Sequence, residues 1–144
     1  MPVVTKELEL EAPLERVWDV VSDPYALPRW WPRVTRVEGV DARGFTEVLH
    51  TDKGRPVRAD FRQQERRAPE LWRFSQDVEG TPFERILTAS ETVVRLEPAS
   101  AGTRVTLELR QRLRGSARLG AFLVRRAARR QLDDALTRLV QLHG

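Results

Sequence analysis

Side chains able to do covalent or acid–base chemistry are few and scattered in this chain of 144 residues. Cysteine is absent, which excludes thiolate nucleophiles, disulfides and cysteine-held zinc or iron–sulfur centres. His50 and His143 are the only histidines, too few for a histidine-based metal site. His143 is the penultimate residue, and frayed termini rarely hold catalytic groups. His50 ends a candidate strand beside a turn, where a solvated imidazole is the simpler reading. No HExxH, GxSxG or Gly-rich phosphate loop occurs. No catalytic residue, metal or cofactor is therefore expected. The remaining chemistry is that of neutral polar side chains set among apolar ones: Gln63, Gln76, Thr88, Ser90, Thr92 and Gln111. Such groups orient a bound molecule by hydrogen bonding.

Position along the chain decides whether these side chains meet. Val4 to Glu11 alternates, with Leu8 and Leu10 opposed to Glu7, Glu9 and Glu11, the pattern of a half-buried strand. Pro13 suits a first helical turn, and Leu14, Val17, Trp18 and Val21 follow as a helical stripe. Asp23 and Pro24 open a second, short helix, which Pro28 and Pro32 limit. Tyr25 and the Trp30–Trp31 pair belong to it.

Six strands are then expected: Val34–Val40, Phe45–Thr51, Val57–Arg66, Leu71–Val78, Phe83–Glu97 and Thr103–Leu113. Short breaks rich in Gly and Pro separate them, as between antiparallel neighbours. Ser116 to Leu142 reads as one long helix, with Ala121, Val124, Ala128, Leu132, Ala135, Leu139 and Leu142 along one side. The expectation is one α+β domain over residues 1–144. A seven-stranded antiparallel sheet curves around the terminal helix, with two short helices after the first strand. Such a helix has one economical place for its stripe, the concave face.

Hydrophobic residues at 40% and charged residues at 32% fit a soluble folded domain. No apolar run approaches the ~18 residues of a membrane span. The start lacks an apolar signal core, so the expected compartment is the cytoplasm. The net charge of +4 is unevenly spread: Leu109 to Leu132 holds eight arginines (110, 112, 114, 118, 125, 126, 129, 130) and no acid. Most fall opposite the apolar stripe, as on a solvated face. Arginines early and Asp133–Asp134 late in a helix oppose the macrodipole preference, which also fits an acidic partner, a neighbouring chain or an anionic membrane surface. Nucleic acid is disfavoured, because Phe122 is the helix's only aromatic and interleaved stacking is missing.

The segment APLERVWDVVSDPYALPRWWPRV, the late hairpin VVRLEPASAGTRVTLEL and the long terminal helix resemble the START-related, birch-pollen-allergen-like (SRPBCC) superfamily. Its polyketide cyclase/dehydrase and lipid-transport branch is the part most resembled. The resemblance covers essentially the whole chain and implies a helix-grip fold with a cavity between sheet and helix.

Strand parity places Thr88, Ser90 and Thr92 with Val94 and Leu96. It groups Gln111 with Leu107 and Leu109, Gln76 with Trp72 and Phe74, and Gln63 with Phe61. These residues are expected to line a ligand-binding hollow, with Trp30 and Phe122 near its portal. Buried without partners, the polar ones would cost about 1–3 kcal/mol each, and a hollow holding water or ligand would satisfy them. A bulge or a one-residue slip would instead turn them to solvent. Trp30 either lines a portal or closes the open end of the sheet. Leu119, Phe122 and Leu123 either face ligand near the helix start or cover the sheet edge. The expected function is binding or transport of a small hydrophobic, lipid- or polyketide-like molecule by a monomer or homodimer. The alternatives are a polyketide cyclase/dehydrase and a protein-interaction module using the Arg-rich helix.

Overall fold

A computed structural model describes residues 3–51, 53–115 and 120–143. The alternating start forms β1 (Val3–Leu10), with Val4 and Leu10 buried. Pro13 leads into α1 (Leu14–Val21), which buries Val17, Trp18 and Val21, as the stripe predicts. The helix ends at Ser22, whose Oγ donates to the Trp18 carbonyl at 2.6 Å. Asp23 then accepts from the Tyr25 amide at 3.0 Å and caps a short 3-10 turn, Pro24–Ala26. The four-residue α2 (Leu27–Trp30) follows directly.

The strands are β2 (Val34–Glu38), β3 (Gly44–His50), β4 (Pro56–Arg67), β5 (Leu71–Gln76), β6 (Leu87–Ala99) and β7 (Gly102–Leu113). They form one antiparallel sheet in the order β1-β7-β6-β5-β4-β3-β2, so the first strand pairs with the last. β6 begins four residues later than expected. Pro82–Arg85 forms a 3-10 turn instead, because Pro82 occupies its first position and the Thr81 hydroxyl accepts from the Phe83 amide at 3.2 Å.

The long helix α3 (Ala121–His143) buries Ala128, Leu132, Ala135, Leu136 and Leu139 against β1, β7 and α2. The expected helix start at Ser116, with Arg118 and Leu119, lies outside the described residues.

The convex face is covered by side-chain ion pairs. Arg104 bridges Glu9 and Glu97, and Arg110 bridges Glu91 and Glu108. Arg95 also pairs with Glu108, and Arg73 spans Glu91 and Glu65. Val93 lies fully buried on this face, flanked in register by Arg73 and Glu108.

β3 runs so close to β4 that a Cβ on Gly44 would collide with the Phe61 carbonyl. Gly44→Ala is therefore expected to destabilise the fold by about 2 kcal/mol or more, read by urea denaturation. An unchanged midpoint would mean that the two strands separate freely.

Candidate functional site

Strand register sets the concave face in rows. One row runs Leu109, Thr92, Phe74 and Gln63 across β7, β6, β5 and β4. A second pairs Gln111 with Ser90, and a parallel set joins Gln76, Phe61 and Phe45. A third holds Leu107, Val94 and Trp72.

At the centre the side chains are packed against one another. Phe45 stacks on Phe61 at 5.3 Å between ring centroids, and Trp72 lies 4.4 Å from Phe74. Trp30, Trp72, Phe74, Leu107 and Leu109 are buried in this core, and Phe61 packs against it half-buried. The Gln63 amide oxygen accepts from Trp72 Nε1 at 2.9 Å, so it holds the indole in place.

The hollow lies to one side of this cluster, under the first half of α3. It measures about 170 Å³ and is lined by Phe83, Ile86, Leu87, Gln111, Val124, Ala127, Ala128 and Gln131. Of the ligand-contacting residues expected from sequence, Gln111 alone is in its wall. Ser90, paired with Gln111, is buried and its hydroxyl makes no hydrogen bond among the described residues, and the same holds for the Thr92 hydroxyl. Thr88 is exposed, and its hydroxyl donates to the Arg112 carbonyl at 3.4 Å. The register shift between Leu87 and Ala89 breaks the parity that grouped Thr88 with Ser90. Phe122, next to the lining residues of α3, is 67% exposed. Tyr25 and His50 are exposed.

Sequence reasoning placed Val124 and Ala128 on the stripe facing the sheet but did not assign them to the hollow, and it did not name Ala127 or Gln131. Ala127, Ala128 and Gln131 are the small and polar members of the helix wall, and two consecutive alanines facing a sheet were the available signal. Sequence reasoning also missed Arg66, which donates to the Ser22 carbonyl at 2.8 Å and sits 5.6 Å from the Trp18 ring and 5.9 Å from Trp72. This cation ties α1 to the aromatic cluster. A larger cleft of about 420 Å³ near α1 has Arg67, Glu70, Arg95 and Glu97 in its walls. An apolar molecule there would desolvate charges, so the smaller hollow is the better site.

Two buried titratable groups escaped the sequence reading. Glu47 shares the concave face with Phe45, is 2% exposed, and has no partner among the described residues. Burial pushes its carboxyl up to about 8, so it is protonated at neutral pH. His143, expected at a frayed end, is instead docked with both ring nitrogens unpartnered. Burial, then Arg16 and Arg29, hold its pKa down. The indole N–H of Trp30 and the amide nitrogen of Gln76 are likewise buried without acceptors. Among the described residues, no three His, Asp or Glu side chains gather as metal ligands, and no helix is long and apolar enough to cross a membrane.

A hollow between a curved seven-stranded sheet and a long terminal helix defines a helix-grip protein of the START/SRPBCC type. The chain belongs to the family described as polyketide cyclase / dehydrase and lipid transport, whose family model matches residues 1–144. No curated protein matches it in sequence. Among solved structures it is similar to the di-domain ARO/CYC StfQ from the steffimycin biosynthetic pathway. There the TM-score is 0.79 at 14% identity, covering 98% of this chain and 50% of that one. A conserved protein from Geobacillus kaustophilus gives 0.78 at 18% identity, covering 97% and 93%. A START superfamily protein from Mycobacterium smegmatis gives 0.76 at 15%, covering 98% and 96%. At these identities the likeness is one of fold.

Glu47 and His143 make opposite contributions to pH dependence. The unfolded chain releases the Glu47 proton from about pH 4.5 and the folded chain only near 8, so this group's contribution to stability falls as pH rises through that window. The unfolded chain protonates His143 near pH 6.5 and the folded chain lower, so its contribution falls as pH drops through 6.5. Glu47→Gln is expected to exceed wild type at pH 7 by up to about 3 kcal/mol in urea denaturation and to converge with it near pH 4.5. Equal stability at both pH values would mean that the carboxylate is solvated.

Proposed function

We propose that this protein binds a small, mainly apolar molecule in the hollow between the first half of α3 and the β6–β7 end of the sheet. The observation that carries this reading is the wall itself. Phe83, Ile86, Leu87, Val124, Ala127 and Ala128 supply apolar surface, and Gln111 and Gln131 supply two amides. Burial of ligand surface at about 25 cal/mol per Å² drives binding, and the amides fix orientation. Family membership supports the same reading.

The volume sets a limit. Sites for drug-sized ligands run to roughly 300–1,000 Å³, so a ligand that large requires the first half of α3 to move outward. That half buries few side chains, which makes it the segment able to move.

A second reading, cyclisation or dehydration of a carbonyl-rich molecule on the same face, is favoured by one observation. Glu47 is a neutral carboxylic acid inside the fold, the kind of group that can protonate a departing hydroxyl.

Native mass spectrometry of freshly purified protein is expected to show a co-purified apolar molecule. Ala128→Trp, which fills the hollow, is expected to lower affinity for an apolar fluorescent probe at least about tenfold while the circular dichroism spectrum stays native. Wild-type affinity in Ala128→Trp would remove the hollow as the site. Conversion of a carbonyl-rich compound by wild type but not by Glu47→Gln, with binding retained, would favour the second reading.

A further inference from the structure

Two groups of arginines in this chain differ in their surroundings. On the convex face Arg73, Arg95, Arg104 and Arg110 each meet a carboxylate. Around the mouth of the hollow, Arg85, Arg125, Arg126, Arg129 and Arg130 are all exposed, and none makes an ion pair among the described residues. Glu84, the acid beside them, is engaged by the Gly80 amide at 2.8 Å. On α3 the first acid is Asp133.

Exposed apolar side chains occupy the same place. Phe122 is 67% exposed, Leu123 56% and Ile86 49%. Ile86 is itself in the wall of the hollow, and Val124 and Ala127 follow Phe122 and Leu123 on α3. Helical periodicity aligns Phe122 with Arg126 and Arg129, and Leu123 with Arg126 and Arg130, on the outward side. One surface therefore carries apolar side chains and unpaired guanidinium groups, beside an opening into an apolar interior.

We propose that this surface docks on an anionic lipid bilayer. Ile86, Phe122 and Leu123 enter the interfacial layer, and the arginines meet lipid phosphates while their stems cover the adjoining apolar surface. A bilayer satisfies both halves of the surface at once. A nucleic acid would leave the aliphatic side chains without a partner and finds one aromatic to stack on. The orientation sets the mouth of the hollow against the lipid, so an apolar molecule could pass between them without crossing water.

Co-sedimentation with phosphatidylcholine vesicles, alone or mixed with phosphatidylglycerol, tests the proposal. Partition onto the mixed vesicles is expected to exceed that onto phosphatidylcholine by about tenfold or more and to fall with added salt. Arg126→Glu/Arg129→Glu is expected to lose about tenfold on mixed vesicles, and Phe122→Ala/Leu123→Ala a comparable amount. Both substitutions lie on the exposed side, and circular dichroism confirms that α3 is retained. Equal binding to both vesicle types, or variants that bind as wild type, would overturn the proposal. So would a dimer in light scattering that Phe122→Ala/Leu123→Ala dissociates, which would assign the patch to a second copy. Release from vesicles by a short duplex RNA, beyond its effect as salt, would assign the patch to nucleic acid instead.

Discussion

The docking of α3 onto β1, β7 and α2 is the contact on which the rest of the molecule depends. Leu132, Ala135, Leu136 and Leu139 make it, all in the C-terminal half of the helix. Each buried leucine contributes about 2 kcal/mol, enough to anchor one end of the helix firmly. Toward its start, the same helix turns Val124, Ala127, Ala128 and Gln131 to the sheet. Side chains that small do not fill the space beneath them. The hollow thus follows from an uneven distribution of side-chain volume along one helix.

The packed centre serves the hollow by being closed. Phe45, Phe61, Trp72 and Phe74 fill the middle of the sheet, and Arg66 fastens α1 across its edge. Around this filled part lie groups that a fold selected for stability alone would replace: the Trp30 N–H, the Gln76 amide and the Glu47 carboxyl. Unsatisfied polar groups of this kind oppose folding, and they cluster where a protein's interior has a task other than packing.

The fold was legible in the sequence because its signals are periodic. Alternation in β1 and β7, the stripe of α1, and the Gly- and Pro-rich breaks each point to one element. The order of elements followed from them, and the family resemblance supplied the helix-grip arrangement. The site was less legible, because parity counts from a chosen reference and cannot detect a bulge. Ser90 and Thr92 are buried as parity has it, whereas the shift at Leu87–Ala89 turned Thr88 outward. Trp72 and Phe74 read as lining, and ring-to-ring packing made them core. Glu47 was not singled out in the sequence, since nothing local to β3 states that Val37 and Ala59 flank it in register.

The ion-pair lattice outside the sheet also acts on strand alignment. Slipping β6 against β7 by one residue would expose the core and is excluded by hydrophobicity. A two-residue slip keeps every inward side chain inward, so burial alone is blind to it. In one direction that slip sets Glu91 opposite Glu108 and Arg95 opposite Arg104, like charge against like. The surface charges thereby proofread a hairpin error that the interior would let pass.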